Sequence, residues 1–190
     1  MVHHVDLEPM DVERDHGLPR TSPVRTVWDL ATWLDPTSSV PIIDSLLGIG
    51  VVDRTTIQQY IAGRQAWRGR RKTQQALALA DEGAQSAPES ALRVRLVLAG
   101  LPRPVVQCPV RIGSVTLHPD LAWPEYLVAM EYDGVWHADA EQLHRDRRRL
   151  NMLAAAGWIV LHATSDRLRR DFGGLLRETR TALSSRGWRG

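Results

Sequence analysis

Polar and apolar positions change rhythm twice along the 190 residues of this chain. The first twenty show no clear period and are interrupted by Pro9, Gly17 and Pro19, which predicts an irregular or partly extended lead-in. From Thr21-Ser22-Pro23, a cap followed by proline in a first-turn position, Val27, Leu30, Ala31 and Leu34 recur at helical spacing. Ser38 to Leu47 and Asp53 to Ala62 read as two further short helices released at Gly48 and Gly63, and a fourth covers Arg70 to Asp81. After residue 84 the texture differs. A helix over Ser86 to Ala99 ends at Gly100, with Leu92, Leu96 and Ala99 on one stripe. Strands follow at Val105 to Ile112 and Val115 to Leu121, joined by a Gly113-Ser114 hairpin turn, and a third at Leu127 to Asp133. A helix over Ala138 to Ala156, a strand over Trp158 to Ala163 and an amphipathic helix over Asp166 to Leu183 complete the order. The expectation is an α/β (α+β) fold, with a small mixed β-sheet flanked by helices in residues 85–190 and an irregular lead-in plus helical region in 1–84.

The third strand carries chemistry. Side chains alternate faces along a strand, so Glu131 and Asp133 point the same way, roughly 7 Å apart, while Val128, Met130 and Tyr132 face the core. Eleven residues before Glu131 stands another acid, in His118-Pro119-Asp120. Carboxylates brought together repel and lose hydration, and a divalent cation between them and an anionic substrate relieves both costs. Such acids point to a metal-dependent nuclease.

Composition narrows the setting. With 43% hydrophobic and 24% charged residues the chain can bury one good core, or a core domain with a small helical appendage. No apolar run approaches the ~18 residues that span a bilayer and nothing at the start resembles a secretory signal, so a cytoplasmic protein with no membrane partner is expected. The single cysteine, Cys108, excludes an internal disulfide framework and reads as a small buried hydrophobe. A net charge of only +2 does not announce a nucleic-acid partner, but the charge is uneven: the first twenty residues are acidic, while Arg64 to Lys72 and Arg145 to Arg149 are basic clusters. Lys72 is the only lysine, so none lies near the acids.

As an ordered set, Ser86-Ala-Pro-Glu89, Leu101-Pro-Arg-Pro104, His118-Pro-Asp120-Leu-Ala-Trp-Pro124, Glu131-Tyr-Asp-Gly134 with His137, and Arg145-Asp-Arg-Arg-Arg149 before Ala156-Gly-Trp158 resemble the PD-(D/E)XK nuclease superfamily. Within it the likeness is to actinobacterial proteins of unknown function related to the very-short-patch-repair endonucleases. These segments span about half the chain. Thr21-Ser-Pro-Val-Arg-Thr26 and Asp29-Leu-Ala31 also resemble the helical segment before the nuclease-like domain of such relatives, which often begin with a winged-helix, antitoxin-like part. Against that pattern this chain is either a short version or starts further upstream.

The resemblance implies a restriction-endonuclease-like αβββαβ core hydrolysing DNA phosphodiester bonds with Mg²⁺ or Mn²⁺. Asp120 and Glu131 would hold the ion, and Glu89 would help directly or through water. His137 would be the general base or orient the phosphate. Arg145, Arg148 and the neighbouring Arg149 would meet backbone phosphates. Asp133 stands among the catalytic set where the superfamily has its usual lysine, a departure that bears on activity itself.

Each residue also has a plainer reading. Glu89, three residues after Ser86, suits a capping box. Asp120 after Pro119 suits a turn, Glu131 and Asp133 suit a solvated edge strand, His137 suits a surface, and the arginine run suits a solvated helix face. Zinc is disfavoured because His118, Cys108 and His144 lack the spacing of a closed site. The competing functions are therefore a Mg²⁺-dependent DNA endonuclease, a non-catalytic nucleic-acid-binding protein with a degenerate nuclease fold, and a toxin-antitoxin or phage-defence regulator whose helical region binds a protein partner. RNA as the nucleic acid stays open.

Overall fold

Local capping chemistry sets most of the helices. Helix α1 (Pro23–Trp33) starts behind Ser22 with proline in its first turn, where the missing N–H costs nothing. In α2 (Pro36–Gly48), Asp35 accepts from the backbone N–H groups of Thr37 and Ser38 at 2.9 and 3.2 Å. Asp53 does the same for α3 (Arg54–Gly63) through Thr56 at 2.9 Å. Helix α4 (Arg70–Leu79) differs, starting at Gly69 with no side-chain cap. The structure, a computed structural model, describes residues 4–64, 67–134 and 140–190, with side chains for all of these except 140–147. Its chain divides into two compact units, Met1–Glu82 and Gly83–Gly190.

In the first unit α4 packs on α1 and α2, and the buried side chains include Val27, Trp28, Ile43, Ile57, Ala76 and Leu77. Of the two forms expected for the lead-in, the partly extended one is found: β1 (Val12–Asp15) and β2 (Leu18–Thr21) form an antiparallel hairpin with Val12 opposite Thr21. Both its strands are mostly exposed, so no apolar alternation marks it. The available signal was His16-Gly17, both at positive φ (48° and 83°), the backbone of a two-residue hairpin turn. Just before it Asp11, 0% exposed, accepts from Tyr60 Oη (2.7 Å), Arg25 Nη1 (2.8 Å) and Arg64 Nη2 (2.9 Å). Burial alone would raise the Asp11 carboxyl, but the bonds from Tyr60, the Glu8 N–H and Arg25 outweigh it and hold the group below its usual range.

The second unit is a mixed α and β assembly. It runs α5 (Ala87–Leu98), β3 (Val105–Val106), β4 (Val110–Ile112), β5 (Val115–Leu117), β6 (Leu121–Trp123), β7 (Val128–Asp133), α6 (Ala140–Ala155), β8 (Ile159–Thr164), α7 (Ser165–Arg170) and α8 (Phe172–Ser185). Strands β3, β6, β7 and β8 form one sheet in that order, with β6–β7 antiparallel and β7–β8 parallel. The two long strands expected over 105–112 and 115–121 are each cut in two. Gln107 at φ 47° and Pro109 break the first, and Pro119 the second. The pieces between form a separate β4–β5 hairpin turning at Gly113, and the chain re-enters the main sheet at β6. The expected last helix is likewise two, because Asp171 leaves helical geometry and caps α8 through the Gly174 N–H at 3.0 Å.

One core layer gathers Leu92, Leu96, Leu121, Val128, Met130, Leu175 and Leu183. The other brings Cys108, Val110, Leu117 and Ala122 onto Leu153 of α6. Strand β7 is therefore covered on both faces, and its first four residues are buried. No described helix is long and apolar enough to cross a membrane.

Candidate active site

Strand pairing brings the acids together. The β6–β7 ladder sets Leu121 opposite Met130, and continuing it by one residue puts Asp120 beside Glu131. Asp120 lies in the bend before β6 rather than on a strand, and is half-buried. Its backbone N–H donates to Glu131 Oε2 at 3.4 Å, and its Oδ2 accepts from the Tyr132 N–H at 2.8 Å. Gln107 completes the clamp: its backbone N–H donates to the Asp120 carbonyl and its Nε2 to Asp120 Oδ1, both at 3.0 Å.

Glu131 sits on the β7 face opposite Met130 and is only 7% exposed. Burial pushes its carboxyl up to about 7; the Arg149 guanidinium opposes this and the Asp120 charge adds to it. Arg149 Nη2 is 3.0 Å from Glu131 Oε1 and also donates to the His118 carbonyl. The approach to Oε1 is misaligned for a hydrogen bond, so that buried oxygen accepts none among the described residues.

Glu89 behaves as a capping residue and something more. Its N–H donates to Ser86 Oγ at 3.3 Å, while its Oε1 accepts from Ser86 Oγ at 2.7 Å and its Oε2 from the Gln85 N–H at 3.3 Å. Burial raises its carboxyl above the usual range, the Ser86 bond opposes that, and the charge on Asp120 raises it further. The capping glutamate thus belongs to the same electrostatic cluster as Asp120.

Asp133, two residues along from Glu131, is half-exposed and its Oδ2 lies 2.9 Å from His162 Nδ1. The parallel β7–β8 register places His162 directly across from Glu131. Arg148 is exposed on α6. His137 lies outside the described residues, as does the side chain of Arg145.

Two members were not picked out from sequence. His162 is a lone imidazole within the apolar run Ile159-Val160-Leu161, and that polar break was its signal. Gln107 gave none, because its role depends on the left-handed bend that aims it at Asp120.

Among the described residues no three His, Cys, Asp or Glu side chains are grouped to hold a metal ion. The donors present still fit a hard divalent cation. Asp120 and Glu131 supply adjacent carboxylate oxygens, one of them buried and accepting no hydrogen bond among the described residues, on a group whose burial is relieved by positive charge.

Comparison with known proteins adds distant likeness without chemistry. Two relatives, each named an uncharacterized protein, come from Mycobacterium tuberculosis strains CDC 1551 / Oshkosh and H37Rv. Each is 31% identical to the chain over 166 residues, covering 86% of this chain and 61% of its own length. The chain thus spans less than two thirds of the curated relatives it matches. No family model matches it, and no solved structure does.

Proposed function

We propose that the Gly83–Gly190 unit has a restriction-endonuclease-like core of the PD-(D/E)XK kind and hydrolyses DNA phosphodiester bonds with Mg²⁺ or Mn²⁺. One observation carries the reading: Glu131 is held buried beside Asp120, with its carboxyl pushed up to about 7 and one oxygen that accepts no hydrogen bond among the described residues. A buried acid of this kind, next to a second acid, is costly unless a cation uses it. The order helix, three strand segments of the main sheet, helix, strand supports the same reading.

In this account Asp120 and Glu131 hold the ion, and Gln107 and the Tyr132 N–H keep Asp120 aimed. Mg²⁺ bound there would supply Lewis-acid activation of water and offset charge at the phosphate. Glu89, tied to Ser86 and Gln85, contributes negative charge rather than a free ligand. Arg148 and Arg149 meet backbone phosphates, Arg149 by exchanging Glu131 for a phosphate oxygen. The base is an imidazole: His137 by the resemblance, or His162 held by Asp133, which fills the usual lysine position. A cytoplasmic setting, a role in DNA repair and a protein partner for the helical front belong to the same proposal.

A second reading has its own observation. Arg149 already places a positive charge 3.0 Å from Glu131 Oε1, as it would in a binding-only descendant in which arginine has replaced the ion. Nicking of supercoiled plasmid with Mg²⁺ or Mn²⁺ separates the two. Activity in the wild type that disappears in both Asp120→Ala and Glu131→Ala supports the nuclease. No wild-type nicking alongside salt-sensitive DNA binding supports the binding-only descendant.

A further inference from the structure

The basic cluster from Arg64 to Lys72 is split in two by the fold. Arg64 is spent internally: it is 4% exposed, bonds Glu8 and Asp11 at 2.9 Å, and its guanidinium lies 3.6 Å from the centre of the Tyr60 ring. Arg68, Arg70 and Arg71 have no carboxylate partner among the described residues, and Lys72 donates only to the Thr32 carbonyl, at 2.8 Å. These four cations, with Thr32 and Gln74, line an open cavity of about 680 Å³ in the Met1–Glu82 unit. No acid lines it among the described residues, and Asp29, one helical turn before Thr32, is committed to Arg25 at 3.0 Å.

Three of the cations occupy the worst place for them. Arg70, Arg71 and Lys72 form the first turn of α4, where the unpaired N–H groups already give a positive end, and no acid stands in that turn. Like charges packed there oppose both one another and the helix dipole, a local conflict that a bound anion removes. Two polar atoms of the same cavity, Thr32 Oγ1 and Arg70 Nε, are buried and have no hydrogen-bond partner among the described residues. Gly69 brings the helix start against Thr32, since a Cβ there would collide with Thr32 Oγ1.

We infer that this cavity binds the phosphates of a nucleic-acid backbone, giving the first unit a contact surface separate from the acids of the second. Cations spread from a loop through one helical turn suit successive phosphates better than a single small anion, and arginine suits phosphate oxygens. An anionic membrane is disfavoured because α4 buries its apolar face, Ala76, Leu77 and Leu79, within the unit.

The test is fluorescence anisotropy of a labelled random-sequence duplex with the full chain, in EDTA so that no cleavage can occur. Arg68→Ala with Arg71→Ala is expected to raise Kd about tenfold or more and to flatten the slope of log K against log salt by about two. Both side chains are exposed. Arg71→Glu removes a cation from a helix start, so it leaves the melting temperature unchanged or higher while weakening binding. Arg68→Lys with Arg71→Lys keeps the binding. The plasmid-nicking assay of Asp120→Ala and Glu131→Ala reads the acids of the second unit by itself, so failure of the nuclease reading and failure of this one are told apart. Unchanged Kd and salt slope in the double alanine variant overturn the inference, as does wild-type binding to phosphatidylserine vesicles without binding to the duplex.

Discussion

Replacing Glu131 with glutamine should make the protein more stable at alkaline pH, because it removes a carboxylate that the fold holds against its own ionisation. The carboxyl moves from an ordinary 4.5 to about 7 on folding. A raised carboxyl pKa means that folding takes up a proton, so the group's contribution is fully present below about 4.5 and is lost as pH rises through about 7. At about 1.4 kcal/mol per pH unit, that loss amounts to about 3 kcal/mol. Glu131 is 7% exposed, so solvent screening takes little from this figure. The attraction of Arg149, about a third of whose side chain is exposed, is already contained in this shift, because it lowers the carboxyl. Glutamine keeps an oxygen for the Asp120 N–H. The expected net gain is about 3 kcal/mol at pH 8.5, vanishing near pH 4.5. Urea unfolding of wild type and Glu131→Gln, followed by tryptophan fluorescence and circular dichroism from pH 4.5 to 8.5, reads this difference directly. Parallel stability curves for the two proteins would refute the reasoning, since Glu131 would then titrate alike folded and unfolded.

The other expectations concern the frame around the sites. Asp11→Ala strands the Arg25 and Arg64 charges in the first unit and should cost about 3–5 kcal/mol in thermal or urea unfolding; a loss under about 1 kcal/mol would contradict the buried network. Gly69→Ala meets both a positive φ of 102° and Thr32, at about 1–3 kcal/mol, and adding Thr32→Ala should recover part of that; no recovery would mean the contact is not the cause. Leu121→Ala opens a cavity at a position 1% exposed, beside the site acid, and should cost about 2–5 kcal/mol by the same unfolding measurement.

What could be read from the chain followed the range of the forces involved. Caps act within one turn, so Asp53 and Ser86 mark the starts of α3 and α5 to within a residue, whereas α2 starts two residues before the expected Ser38 because Asp35 caps it. The β1–β2 hairpin escaped because it buries almost nothing, leaving only His16-Gly17 to mark it. Pro109 and Pro119 stand inside the two expected strands, and the excursion into β4 and β5 lies between them, because a proline cannot donate to the ladder. At the site, alternation along β7 placed Glu131 and Asp133 on one face, but not the difference between a buried Glu131 and a half-exposed Asp133. Arg149 of α6 lies 3.0 Å from Glu131 Oε1 and covers that carboxylate, while Asp133 at the end of the strand meets only the part-exposed His162 among the described residues. The Asp133–His162 pair depends on strand register across 29 residues, which no local pattern encodes.

The measurement that bears most directly on the carboxylate site is Mn²⁺ binding, followed by electron paramagnetic resonance of the free ion at pH 8 and at pH 5.5. The account predicts one saturable site at pH 8, weakened at pH 5.5 as Glu131 takes up a proton, and lost in both Asp120→Asn and Glu131→Gln. Mn²⁺ binding that survives both substitutions, or none at pH 8 in the wild type, would contradict it.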